Sequence, residues 1–203
     1  KDKSKNDQLP TIIAVSKKFK MNAILPLINY GHKHFGENQV QEALEKWLDI
    51  KNDFKDIKLH MIGKLQSNKV KYAIRLFDYI HSVDNIKLAE KIANEQIKVN
   101  KKIKIFIQVN IGNENQKSGT NVENLKKFYE KCKNELKLDV IGLMCLPPLN
   151  SINDNYFLKM RQLSDNLGLN ELSMGMSNDY KMALEHGSTY IRVGSKIFGE
   201  RPK

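Results

Sequence analysis

Lys17 is the residue whose type and place most invite chemistry. It closes the run TIIAVSK, which reads as a β-strand over residues 11–17. With a period of two, Ile13, Val15 and Lys17 share one face of that strand. If Ile13 and Val15 fill a barrel interior, the lysine amine projects into the barrel mouth. Partial desolvation there lowers a lysine pKa and frees the amine to attack an aldehyde. A solvated strand-end lysine fits the same position, and this one is among 30 lysines in the chain.

A second group near the C-terminus has different chemistry. Ser173, Gly175 and Ser177 stand at the end of one candidate strand and in the loop that follows, and Gly194 and Ser195 lie within another. Glycine lets backbone N–H groups approach a phosphate, and hydroxyls supply further donors. A helix opening near Asn178 and Asp179 aims its positive end at the same place. Tight-turn glycines with capping serines account for the pattern equally well. An amine on the first strand facing a phosphate cradle on the last two suits an aldehyde phosphate cofactor.

The elements that must position these groups alternate from end to end. Candidate strands are residues 11–17, 34–38, 58–63, 78–84, 104–110, 139–146, 171–176 and 189–199. Helical spacing fills the gaps: Val40, Leu44, Trp47 and Leu48 share one face, as do Ile86, Leu88, Ala89, Ile92, Ala93 and Ile97. Ser67 or Asn68, Asn121 and Asp179 mark helix starts, and Gly187 marks a stop. Strict βα alternation implies parallel strands joined by helices. Eight units at about 25 residues each favour a single (β/α)8 TIM barrel, with chemistry at the strand C-terminal ends. An open doubly wound sheet is the alternative, but no Gly-rich dinucleotide fingerprint follows the first strand.

Bulk properties narrow the setting. The 203 residues, 40% of them hydrophobic, fit one soluble domain spanning residues 1–203. No apolar run approaches the ~20 residues that cross a bilayer. The opening KDKSKNDQLP lacks a secretory signal, which places the protein in the cytoplasm without a membrane partner. Cys132 and Cys145 show no metal-ligand spacing and read as reduced thiols. The histidines form no metal pattern, although His60 and His81 are candidates to flank a cofactor. The net charge of +11 comes with only four arginines and scattered lysines. Base readout favours bidentate arginine, so no specific nucleic-acid partner is expected.

In order along the chain stand AVSKKFK, HFGENQVQE, HMIGKLQSNK, HSVDN, IQVNIGNENQKSG, GLMCLPP and SMGMSNDYKMALEHGSTYIRVGSKIFGER. Seven motifs in register over residues 11–201 resemble the pyridoxal phosphate homeostasis proteins of the YggS/PROSC type. That resemblance implies an alanine-racemase-like N-terminal barrel and pyridoxal 5'-phosphate held as an internal aldimine on Lys17. It implies a phosphate cup of Ser177, Gly194 and Ser195, with Arg192 near the pyridine nitrogen and Asn38 at the cofactor's other edge. Departures from the family pattern are Lys18, Phe19 and Lys20 after the lysine, Lys64 in place of proline, and Ser195-Lys196 in place of Thr-Ala. Only ten residues precede Thr11, so a helix ahead of strand one is expected to be shortened or missing.

The resemblance also implies a role in vitamin B6 and amino-acid homeostasis. An arginine at the ring nitrogen can only donate, which weakens the ring's electron withdrawal. Alanine racemases of this fold take a second acid/base, a tyrosine, from a C-terminal domain that this chain is expected to lack. The expectation is therefore a monomeric carrier or buffer of the cofactor, without committed turnover, exchanging it with free amino acids or client enzymes. The alternative is a racemase or lyase using Lys17 with a second group such as Cys145 or a tyrosine.

Overall fold

The computed structural model describes residues 9–114, 118–148 and 154–200. Most of the segment ahead of strand one, residues 115–117 of the fifth-strand loop, and Arg201 lie outside them.

Eight strands form the fold: β1 (Thr11–Val15), β2 (His34–Glu37), β3 (Lys58–Met61), β4 (Tyr79–Val83), β5 (Lys104–Val109), β6 (Asp139–Cys145), β7 (Glu171–Met176) and β8 (Tyr190–Val193). Neighbours pair in parallel and in chain order, and β8 returns to β1 with Ile13 opposite Arg192. The alternation therefore closes as a (β/α)8 barrel. Around it lie α1 (Met21–Asn29), α2 (Val40–Trp47), the short α3 (Ile50–Asp53), α4 (Val70–Leu76) and α5 (Ile86–Val99). They are followed by α6 (Val122–Glu130), α7 (Asp154–Asn166), α8 (Tyr180–Glu185) and a single turn, α9 (Ser195–Phe198). Among the described residues no helix is long and apolar enough to cross a membrane.

Local chemistry sets the helix ends, not always as the sequence suggests. The Asn85 side chain caps α5 by accepting from Leu88 N–H at 2.9 Å. Ser67 and Asn68 instead belong to a 3-10 turn ahead of α4, and Asn121 holds the cap position of α6 without a side-chain capping bond. The Asp179 carboxylate accepts from Met176 N–H at 2.6 Å, ahead of α8. Gly187, at φ +79°, lets the chain leave that helix.

The expected eighth strand is too long. Pairing stops at Val193, the backbone turns at Gly194 (φ −118°, ψ −73°), and Ser195–Phe198 winds into α9. A Cβ on Gly194 would lie 3.4 Å from both Cβ and O of Val15, so β1 packs directly beneath this turn. The β-like pattern of the sequence thus continues past the point where the strand ends and the helical turn begins.

Strand alternation splits the interior into two layers. Ala14, Phe35, Leu59, Ile80 and Ile107 point outward and meet Trp47, Ile74, Ile92 and Phe157 of the helices. Ile13, Tyr79, Phe106, Met144 and Tyr190 point inward and fill the barrel.

Candidate cofactor site

Lys17 lies two residues beyond the end of β1, between anchored neighbours. Ser16 N–H donates to Gly36 O at 3.0 Å, and the Ser16 hydroxyl donates to Glu37 Oε1 at 2.7 Å. The same Glu37 oxygen takes the Trp47 indole N–H at 2.9 Å and the Lys46 ammonium at 2.7 Å. Burial pushes the Glu37 pKa above its ordinary value, against the pull of Lys46. Lys46 also donates to the carbonyls of Ser16 and Phe19, at 2.9 and 3.3 Å. On the far side Lys18, at φ +65°, gives its N–H to Glu42. A buried carboxylate and an ammonium from β2 and α2 thus hold the lysine loop.

The loop is tied to the other end of the chain as well. Phe19 is buried, and its ring lies 5.1 Å from that of Phe198 in α9. The change at Phe19 therefore gives the lysine loop an apolar grip on the turn that carries Ser195.

Above the barrel a cavity of about 440 Å³ opens, lined by Val15, Lys17, Asn38, Ile62, Leu146, Pro147, Met176, Ser177, Asn178, Asp179, Arg192, Gly194 and Ser195. The six sequence candidates, Lys17, Asn38, Ser177, Arg192, Gly194 and Ser195, all border this one space. They arrive from the ends of β1, β2, β7 and β8, which barrel closure brings together. Gly194 N–H donates to Ser177 Oγ at 3.4 Å, joining the last two strand ends. Gly175, at φ +91°, has no room for a side chain, because a Cβ would come 2.7 Å from that of Ala183. Lys196, the added charge near this rim, has its ammonium 5.0 Å from the Tyr180 ring centroid.

Arg192 is a buried member of the lining, at 4% exposure. Its Nη1 donates to Ser173 O at 2.7 Å and Ser173 Oγ at 2.6 Å, and its Nη2 donates to Cys145 O at 2.8 Å. Burial draws the Arg192 pKa down, yet a guanidinium starts so high that it remains a pure donor. Ser173 is therefore not part of a phosphate loop, as its place near a strand end suggests. It lies inside β7, fully buried, with its hydroxyl bound to Arg192.

Behind Ser173 lies a feature the sequence did not disclose. His81 Nδ1 is 2.8 Å from Ser173 Oγ, His81 Nε2 is 2.9 Å from His60 Nδ1, and His60 Nε2 is 3.0 Å from His34 Nδ1. His60 and His81 do not border the cavity; they run beneath it along the barrel interior. Burial holds both well below the ordinary histidine pKa, with His81 adding to the effect on His60 and Arg192 to that on His81. Cys145 offers its carbonyl to the site, while its thiol is buried in the outer layer and pushed up to about 12 by that burial.

The alanine racemase N-terminal domain family matches residues 4–202. A pyridoxal phosphate homeostasis protein of Aquifex aeolicus is 40% identical over 199 residues, covering 94% of this chain and 86% of the relative. The chain belongs to the pyridoxal phosphate homeostasis protein family. A further member, from Haemophilus influenzae, is 36% identical, with 99% of this chain and 89% of that protein covered. Among solved structures, PipY of Synechococcus elongatus with PLP bound superposes with a TM-score of 0.86 at 35% identity, covering 95% of each chain. The family likeness thus runs over the same residues that build the barrel and its cavity.

Proposed function

We propose that this chain binds pyridoxal phosphate in the cavity above the barrel and serves as a carrier or buffer of that cofactor. The observation that carries the reading is the convergence of one lysine amine, one buried guanidinium and a Ser/Gly rim on a single cavity. The donor set fits the group: an amine for an aldehyde, hydroxyls and backbone N–H groups for a phosphate, and a fixed cation for a ring nitrogen. When bound, pyridoxal phosphate supplies an aldehyde that reacts reversibly with amines and a ring that withdraws electrons.

Lys17 is the residue that holds the aldehyde carbon, presented by the Glu37–Lys46 clamp on its loop. Ser177, Gly194 and Ser195 receive the phosphate, and Asn38 borders the opposite edge. Arg192 can donate but never accept, so it favours a ring nitrogen without its own proton and restrains the electron withdrawal that committed catalysis exploits. Among the described residues no tyrosine, histidine or cysteine lines the cavity. The Asp179 carboxylate, which does, already accepts Met176 N–H. We infer a carrier that works as a monomer in the cytoplasm and gives its cofactor to amino acids or to enzymes that need it. Two free, buried cysteines fit such a reducing compartment.

The test is an absorption spectrum of the protein with pyridoxal phosphate, before and after borohydride, repeated on Lys17→Ala. A visible band is expected that borohydride bleaches while fixing the cofactor to the chain, and that is lost in the variant. A protein that stays colourless, or a band that survives in Lys17→Ala, overturns the site. Incubation with amino acids in deuterated water separates carrier from enzyme: steady exchange of the α-hydrogen would contradict the carrier reading.

A further inference from the structure

The line from Arg192 to His34 has a direction that its chemistry dictates. Arginine only donates, so Ser173 Oγ accepts, and the serine has a single proton to pass on. If that proton goes to His81 Nδ1, neutral His81 carries its own on Nε2 and gives it to His60 Nδ1. His60 then donates from Nε2 to His34 Nδ1. Between the two ends, Ser173, His81 and His60 each donate once and accept once along the line. The reverse order makes Ser173 accept from both sides and leaves its own proton without an acceptor on the line. Stacking fixes the ring planes: His60 on Tyr79 at 4.1 Å and His81 on Phe106 at 4.3 Å between centroids.

We propose that His81 and His60 are positioning residues for Arg192, acting through Ser173, and that His34 makes this hold answer to protonation at the far end of the barrel. The proposal rests on the reading of Arg192 as the partner of the cofactor ring. His34 opens β2 and is partly exposed, whereas His60 and His81 are fully buried. A proton taken up by His34 turns its Nδ1 into a donor toward His60. The order then reverses through His81 to Ser173, whose hydroxyl must accept a second donor in competition with Arg192. His34 meets His32 from its own approach, Lys58 and His60 from β3, Asp78 and Tyr79 at the start of β4, and Lys104 from β5. Burial resists that proton first, then His32, Lys58 and Lys104, and Asp78 invites it. His60 also faces His32 and Lys51, and His81 faces Arg192.

Ring-nitrogen NMR on the chain labelled with 15N-histidine reads the tautomers without any cofactor. The expected result near neutral pH is Nε2–H for His34, His60 and His81; an Nδ1–H form of His81 overturns the proposal. With pyridoxal phosphate bound, the visible absorption should change with pH as His34 titrates, and His34→Asn, which cannot titrate, should remove that change. A flat wild-type profile, or one unaltered in His34→Asn, overturns the coupling. His81→Leu should shift the absorption maximum and speed cofactor loss on dialysis about tenfold. His81→Asn, with an amide near the place of Nδ1, should restore both. Unaltered spectra in a folded His81→Leu protein overturn the positioning role; should that variant not fold, the tautomers and His34→Asn still decide. A chain with the stated tautomers that never takes up pyridoxal phosphate refutes the cofactor reading and upholds the direction of the line.

Discussion

The same eight strands serve two interiors built by different rules. Outside the barrel, Ile24, Trp47, Ile74, Ile92 and Phe157 fill space between strands and helices, almost entirely with hydrocarbon. Inside, Ile13, Met144, Phe106 and two tyrosines share the space with His60, His81, Ser173 and Arg192. In the outer layer any apolar shape of the right volume serves. In the inner layer Arg192, Ser173, His81, His60 and His34 are joined atom to atom, and moving one proton obliges the next to move. The outer layer supports the fold, and the inner layer supports the floor of the cavity.

Substitutions that touch one layer and spare the other break this comparison most directly. Lys17→Ala should abolish retention of pyridoxal phosphate on gel filtration while moving stability by no more than about 0.5 kcal/mol, since the side chain is half-buried on a loop. Phe157→Ala should do the opposite. Phe157 is fully buried in the outer layer, and its truncation should cost about 3–5 kcal/mol in urea unfolding. The folded fraction should still bind cofactor as the wild type does. Weakened binding in that folded fraction would mean that the layers are coupled.

The outer layer is also the more legible one. Period-two strands and 3.6-period helices announce it, and Val40, Trp47, Leu88 and Ile92 fall where the spacing puts them, whereas Leu48, Ile86 and Ile97 at the helix ends are exposed. Lys17 is legible for the same reason, because Ile13 and Val15 fix the face it shares. The end of β8 is not, since the residues after Val193 continue a β-like pattern while the chain turns at Gly194, where it packs on Val15. The histidine line is the least visible. His34, His60 and His81 stand on three strands, and nothing beside them in sequence points from one to the next. Register alone makes the neighbours: Gly36 pairs with His60, and His60 with Tyr79. Ser173 lies within the expected strand 171–176, and only the structure shows that its hydroxyl turns into the barrel to Arg192 and not toward a phosphate loop.

The inner layer should announce itself through pH. His60 and His81 are neutral in the folded chain, with pKa values held well below 6.5 by burial. The unfolded chain takes up protons near the ordinary value, so it binds more of them than the folded chain just below it. Stability is therefore full above about pH 6.5 and falls on acidification, by up to about 1.4 kcal/mol per pH unit for each histidine. Urea midpoints measured from neutral to mildly acidic pH should show this fall. His81→Asn should flatten it by one histidine's share. An unchanged slope would mean that His81 is charged in the folded protein, which the line forbids.

The smallest effect is expected at the rim, where neither layer reaches. Ser177 is half-buried, and its hydroxyl takes Gly194 N–H at the long distance of 3.4 Å. A bond of that length adds little to the fold, so Ser177→Ala should leave the unfolding midpoint where it is. What the variant loses is one donor to the phosphate, worth about 1 kcal/mol, or roughly fivefold faster release on dialysis. The backbone N–H groups of Gly194 and Ser195 keep most of the hold. A loss a hundredfold or greater would mean that the serine orders the Gly194 turn itself. The rim would then belong with the inner layer, as a place where one hydrogen bond fixes the next.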